Sequence, residues 1–195
     1  MSERERWNKK WSAGEAPQAP SPFFARLAPR LIRSLRTRPG ARVLDLASGP
    51  GRHSLPLARA GIAVDALDCS SVALAQLAQT AGREVLPIHT IETELGDPED
   101  AAALLGSARY DVVLDFFFLD RALIPVLARA LKPGGLLVFE TRLAPGEIGS
   151  AVNPKGYWLA PGELARLLWR DFDLLALSER PTSTKWIAQA IARRR

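Results

Sequence analysis

The chain has 195 residues, 47% of them hydrophobic and 24% charged; this is enough for one domain with a core, and it excludes wholesale disorder or a collagen-like repeat. Its net charge is +5, with 21 arginines and five lysines, and its single cysteine, Cys69, excludes an intramolecular disulfide and a cysteine-based zinc site. The longest apolar runs, 112–114 and 116–119, are broken by Asp115 and Asp120, and the charged opening MSERERWNKKW has no apolar stretch of a secretory signal, so neither a membrane span nor export is expected and the expected location is cytoplasmic.

Residues 1–22 are polar, close on Pro17, Pro20 and Pro22, and predict an extension with a helix around 3–11. Phe24, Leu27, Leu31 and Leu35 recur at helical spacing over 23–36, and Pro39-Gly40 ends that helix. A strand follows at 43–46, then a glycine-rich turn and a helix over 53–60. Residues 62–67 read as a second strand ending at Asp68, and Ser70 or Ser71 caps a helix reaching about Thr80. A third strand is expected over 85–92, interrupted by Pro87, and Asp97-Pro98 starts a helix through about Leu105. A fourth strand (111–115), a helix (120–131), the turn Lys132-Pro133-Gly134-Gly135 and a fifth strand (136–141) come next. Residues 143–162 hold Pro145, Gly146, Gly149, Pro154, Gly156, Pro161 and Gly162 and read as a long loop, the kind that often forms a lid. A helix at 163–169 and strands at 173–179 and 185–192, joined by 181–184, complete the chain; the short joint permits an antiparallel hairpin. Strands alternating with helices predict an α/β fold with a mostly parallel sheet covered on both faces. The expected organisation is a single domain: an extension and helix over 1–40, then a main body over 41–195.

The basic residues are densest at Arg30, Arg33, Arg36 and Arg38 and at Arg193 to Arg195. The first group reads as a solvated helix face and the second as a solvated tail, so the charge does not by itself point to nucleic acid. No heptad pattern or apolar stripe indicates an oligomeric state.

The sharpest signal is Asp45-Leu46-Ala47-Ser48-Gly49-Pro50-Gly51, between the first strand and the first helix of the alternation. Glycines there let a ligand approach the backbone, and open α/β sheets bind ligands at such strand ends. The dinucleotide fingerprint needs a third glycine at position 54, where this chain has Ser54. Asp45 would repel a pyrophosphate but suits a cationic ligand. Asp68 closes the second strand, where a carboxylate can accept from ribose hydroxyls, and Glu94 follows the third strand, where it can accept from an adenine amino group.

The run Val43 to Gly51 resembles the first motif of the class I S-adenosylmethionine-dependent methyltransferases, with Ala47 where a glycine often stands. Val64 to Asp68, Asp111 to Asp115, and Leu131 to Val138 with its Lys-Pro-Gly-Gly turn resemble the second-strand, fourth-strand and fifth-strand motifs, so the likeness covers about 41–142. Gly51-Arg52-His53-Ser54, His89-Thr90 before Glu94-Leu95, and Trp7-Asn8-Lys9-Lys10-Trp11 are similar to the tellurite-resistance and thiopurine methyltransferase-like branches. The resemblance implies a Rossmann-like seven-stranded sheet with an antiparallel C-terminal strand and S-adenosylmethionine as cofactor. It implies cofactor contacts from Trp11, Asp45, Ala47, Ser48, Gly49, Gly51, Asp68, Cys69, Glu94, Leu95, Asp115 and Phe116, with the N-terminal segment folded over the cofactor. Glu94 stands where an aspartate is common, so the Leu95 backbone is an alternative adenine contact.

The expected acceptor is a small molecule, such as a thiol or chalcogen oxyanion, and no metal is expected. A soft acceptor needs no general base; His53 and Tyr157 are candidates if one is used, and Arg142 could meet an anionic acceptor. Phe116-Phe117-Phe118 reads mainly as core and Tyr157-Trp158 as a lid. The Pro-Pro-aromatic run of amino-group methylation is absent after Asp115. The alternatives are a nucleic-acid or protein methyltransferase and a non-catalytic module that binds the same cofactor.

Overall fold

The structure, a computed structural model, describes residues 1–15, 17–145, 156–181 and 185–195. The strands form a seven-stranded sheet, and the chain divides into two units, Met1–Leu95 and Gly96–Arg195.

The first unit opens with α1 (Glu3–Ser12), whose start is fixed by reciprocal bonds: Glu5 N–H donates to Ser2 Oγ at 3.2 Å and Ser2 N–H to Glu5 Oε2 at 2.8 Å. In α2 (Pro22–Arg36) the Ser21 hydroxyl accepts from Phe24 N–H and proline fills the first turn. The α2 face with Phe24, Ala28, Leu31 and Leu35 is buried, while Arg30, Arg33 and Arg36, with Arg38 just beyond, are exposed, as the periodicity requires. β1 (Arg42–Leu46), β2 (Ala63–Asp68) and β3 (Ile88–Glu92) pair in parallel in the order β3-β2-β1. β1 and β2 are almost wholly buried, the mark of parallel strands covered on both faces. α3 (Ser54–Arg59) and α4 (Ser71–Glu84) are the intervening helices. α4 runs four residues past its expected end at Thr80, to Glu84, because Val85 closes it in the left-handed conformation (φ 53°). β3 therefore starts at Ile88, after Pro87, rather than at 85.

The second unit contains α5 (Pro98–Leu105), β4 (Tyr110–Phe116), a 3-10 turn (Arg121–Leu123), α6 (Ile124–Ala130), β5 (Leu131–Arg142), α7 (Glu163–Leu168), β6 (Phe172–Pro181) and β7 (Trp186–Arg194). The order is β4-β5-β7-β6. β5 is parallel to β4, and β7 runs antiparallel to both β5 and β6. The helix expected over 120–131 is split, since Pro125 stands in the first turn of α6 and the residues before it adopt the tighter turn. The Lys-Pro-Gly-Gly turn is absorbed into β5 as a register shift between Tyr110 and Val112 of its partner. β7 reaches Arg194, so the expected solvated tail is corrected: Arg193 and Arg194 belong to a paired strand, and Arg195 follows it. The joint at 182–184 and most of the expected loop, 146–155, lie outside the described residues.

The result is the α/β, Rossmann-like arrangement: mostly parallel strands, with one antiparallel strand near the C-terminus. Among the described residues no helix is long and apolar enough to cross a membrane.

Candidate functional site

In the first unit, β1 delivers the chain into a turn that only unusual backbone angles can make. Ala47, Gly49 and Gly51 have φ of 51°, 55° and 82°. Ala47 holds the left-handed conformation without being glycine, a local cost that such sites often carry. Ser48 N–H donates to Leu67 O at 3.0 Å, and Leu55 N–H to Gly51 O at 2.8 Å, tying the turn to β2 and to the start of α3. A Cβ on Gly51 would run into the Leu77 side chain of α4, so this position demands glycine for space as well as angle.

Two carboxylates organise the site. Asp68 accepts from Gly49 N–H through Oδ2 and from Ser70 N–H through Oδ1, both at 2.8 Å, joining the glycine turn to the β2–α4 turn. Burial raises its pKa, opposed by the Ser70 and Gly49 N–H groups. Cys69 also donates to Asp68 from its backbone and its thiol, so a ligand hydroxyl would take the place of one of these donors. Asp45 is buried, and its Oδ2 accepts from Ser54 Oγ at 2.5 Å. Its Oδ1 has no hydrogen-bond partner among the described residues. Burial lifts the group to about 7, against the Ser54 bond and the Arg52 charge. A buried acceptor left unpaired beside a ligand turn is the group a cationic ligand would complete. Burial also pushes the Cys69 thiol up to about 11, with Asp68 and Glu94 adding to the shift, so it stays neutral.

α1 lies across this constellation. The Trp11 ring covers Gly49, where a Cβ would stand 2.6 Å from Trp11 Cζ2. Trp11 is buried with Ala73 and stacks on Trp7 at 6.4 Å between centroids. Asn8 Oδ1 accepts from Ser70 Oγ at 2.6 Å and from Val72 N–H at 3.3 Å. Arg4 donates through its N–H to Glu94 Oε1 at 3.2 Å and through Nη1 to Glu92 at 2.5 Å. Trp11, Asp45, Ala47, Ser48, Gly49, Gly51, Asp68, Cys69 and Glu94 are thus brought to one cluster of strand ends, with half-buried Leu95 next to Glu94 in the chain. Asn8, Ser54 and Ser70 were missed as site residues, although Asn8 stands inside the quoted Trp-Asn-Lys-Lys-Trp run and Ser54 in Gly-Arg-His-Ser.

His53 makes structural contacts with the start of α2. It is buried, its Nε2 accepts from Ser21 N–H at 3.2 Å, and its ring lies 4.9 Å from Phe24. Burial and the neighbouring Arg52 charge bring it down to about 3, so it is neutral near pH 7.

In the second unit, Asp115 and Phe116 are buried at the end of β4. Phe117 follows with φ 64°; its N–H donates to Glu140 O at 2.6 Å, and Lys185 Nζ lies 4.5 Å from its ring centroid. Phe116 is core, whereas Phe117 and Phe118 are only half-buried. Arg142 is exposed at the end of β5, and its carbonyl accepts from Leu159 N–H at 2.9 Å. Tyr157 and Trp158 are 63% and 47% exposed, too open for a core role. Arg121, which sequence reasoning missed, braces this segment. It donates to Glu163 Oε1 at 2.6 Å, Gly156 O at 3.0 Å and Trp158 O at 3.2 Å. Burial pushes the Glu163 carboxyl up, but the Arg121 and Ala160 donors outweigh it and the group lies below its ordinary value. Nothing local in the sequence links Arg121 with Glu163, 42 residues away.

Residues 43–135 match the methyltransferase domain family. The ubiquinone biosynthesis O-methyltransferase of Caulobacter sp. (strain K31) is 32% identical over 136 residues, covering 63% of this chain and 51% of that protein, so the chain spans about half the length of this curated relative. Among solved structures, the 1,6-didemethyltoxoflavin-N1-methyltransferase of Burkholderia thailandensis, with bound 1,6-didemethyltoxoflavin and S-adenosylhomocysteine, superposes with a TM-score of 0.70 at 20% identity, covering 98% of this chain and 86% of that one. TehB from Haemophilus influenzae gives a TM-score of 0.66 at 20% identity, covering 85% and 62%. These two likenesses are likenesses of fold.

Proposed function

We propose that this chain, which carries a class I S-adenosylmethionine-dependent methyltransferase domain, transfers a methyl group to a small-molecule acceptor. The observation that carries the reading is the pair of buried carboxylates at the glycine turn: Asp68, bridging Gly49 and Ser70, and Asp45, with one oxygen unpaired. When bound, S-adenosylmethionine supplies a methyl carbon on a positively charged sulfur, open to in-line displacement. The protein's share is then mainly placement and exclusion of water.

Asp68 would accept from the ribose hydroxyls, and Glu94 or the Leu95 backbone would meet the adenine. Asp45 would supply negative charge near the methionine end of the ligand, and Ala47, Ser48, Gly49 and Gly51 would present backbone. Trp11 would cover the turn and keep water from it. Asp115 and Phe116 are assigned to the methionine portion. The engaged Nε2 and lowered pKa of His53 disfavour it as a general base, which suits an acceptor that need not lose a proton. Arg142 and Tyr157 are assigned to the acceptor, Arg142 to any anionic group. A small-molecule acceptor draws support from two of the similar proteins, whose names specify ubiquinone biosynthesis and 1,6-didemethyltoxoflavin.

Calorimetric titration with S-adenosylmethionine, S-adenosylhomocysteine and NADH, each alone, tests the site. Binding of both adenosyl ligands, weakened at least about tenfold in Asp68→Ala and not in Arg142→Ala, is expected. Binding of NADH alone would refute the reading. With binding established, an acceptor screen beginning with thiols and chalcogen oxyanions follows.

A further inference from the structure

The C-terminal arginines help to build a cleft in the second unit. Arg194 Nη1 donates to the carbonyls of Arg129, at 3.2 Å, and Leu131. Arg195 donates from Nε to Asp173 Oδ1 at 2.9 Å, from Nη1 to Arg170 O at 3.0 Å and from its N–H to Asp171 O at 3.1 Å. These bonds fix two guanidiniums as walls. Together with Arg129 at the end of α6 and Arg170 just after α7, they line a cleft of about 310 Å³, with Ala128 in its apolar part.

Arg129 and Arg170 are exposed, and the Arg129 guanidinium has no hydrogen-bond partner among the described residues. The Arg170 guanidinium lies over the Trp169 ring, 6.0 Å from its centroid. Trp169 is 62% exposed, an unusual position for so large an apolar ring. Asp171 lines the same cleft and opposes an anion, and Arg195 is paired with Asp173, so the Arg129 and Arg170 guanidiniums are the ones left to meet it. Within this unit the cleft is well separated from Asp115: in the β4–β5 register Leu131 pairs with Tyr110, five residues from Asp115, or about 17 Å along the strand.

Guanidiniums take phosphate oxygens in pairs, and an exposed indole beside them stacks a planar base. We propose that this cleft binds a nucleotide, its phosphate on Arg129 and Arg170 and its base reaching past the cleft's lining to Trp169, which stands beside Arg170. The same chemistry is presented by a free nucleotide and by single-stranded RNA, and the experiment separates them.

The full chain is titrated at low salt with ADP, with inorganic pyrophosphate and with a fluorescein-labelled single-stranded RNA of about 12 nucleotides. The parent is compared with the exposed-site variants Arg129→Glu/Arg170→Glu and Trp169→Ala. The double variant is expected to weaken the nucleotide ligand at least about tenfold, and Trp169→Ala about fivefold, with pyrophosphate affinity unmoved by the latter. Thermal unfolding and adenosyl-ligand affinity should match the parent in both variants, so a loss cannot come from misfolding. ADP binding without RNA binding identifies a free nucleotide. RNA binding whose log–log salt slope flattens by about 1.4 in the double variant identifies the nucleic acid, at about 0.7 per lost phosphate contact. Binding of neither ligand, or affinities indifferent to both variants, overturns the proposal. Pyrophosphate binding as tightly as ADP overturns the role of Trp169.

Discussion

The glycine turn of the first unit is held by hydrogen bonds to a carboxylate, and the Tyr157–Trp158 segment of the second by hydrogen bonds from a guanidinium that is itself paired with one, over different spans of chain. At the turn, Asp68 gathers the N–H groups of Gly49 and Ser70, 19 and two residues away, and α1 closes over them through Trp11 and Asn8. In the second unit, Arg121 spans 42 residues to Glu163 and reaches the carbonyls of Gly156 and Trp158 on the way. The glycine turn is therefore an assembly of backbone groups whose geometry follows from strand ends. The Tyr157–Trp158 segment depends on one buried ion pair together with hydrogen bonds from Arg121 and between Leu159 and Arg142, groups far apart in the chain.

The most severe break at the glycine turn is Asp68→Ala, which strands two backbone N–H groups at about 1–3 kcal/mol each. Urea unfolding should show a loss of about 2–5 kcal/mol, and Asp68→Asn, keeping one acceptor oxygen, should recover part of it. The matching break in the second unit is Arg121→Ala, which leaves Glu163 buried without its cation, for a loss of about 3 kcal/mol. Calorimetry should nevertheless find adenosyl-ligand affinity within about twofold of the parent, provided titration is run below the unfolding temperature. Equal damage to ligand binding by both variants would erase the distinction between the two regions. Glu163 adds a pH signature. Its folded pKa lies below the ordinary 4.5, so its contribution is present above that value and disappears as pH falls through the folded pKa. The parent should lose more stability on that acid limb than Glu163→Gln.

Smaller effects sharpen the picture of the glycine turn. Gly49→Ala places a methyl against Trp11 in a left-handed backbone and should cost about 1–2 kcal/mol, while Trp11→Ala in the same chain should recover the steric part. The smallest effect is a slope. Asp45 is raised from 3.8 to about 7 by burial, so the folded chain holds a proton that the unfolded chain has released. That contribution is full below 3.8 and is lost as pH rises through about 7. Asp45→Asn should flatten the fall in unfolding free energy between pH 5 and 7.5.

Much of this was legible in the sequence, for local reasons. Alternating apolar strands and capped helices gave the α/β order, and Asp45, Gly49, Gly51 and Asp68 were recognisable because strand-end chemistry repeats at fixed spacing. Boundaries slipped where one residue adopts an uncommon conformation, as Val85 does in ending α4. The brace of Arg121 was hidden because an ion pair across 42 residues leaves no period or motif. Arg193 to Arg195 resembled a free tail because charge alone does not reveal that Arg193 pairs in the ladder with Asp173 and Leu136.

The Asp68 bridge also makes two amides into reporters. Gly49 and Ser70 N–H groups can exchange with deuterium only when the carboxylate releases them, so their exchange times the opening of the turn residue by residue. If both slow together when an adenosyl ligand is added, the turn and the start of α4 open as one unit; if only Gly49 slows, the two turns breathe separately although they share an acceptor.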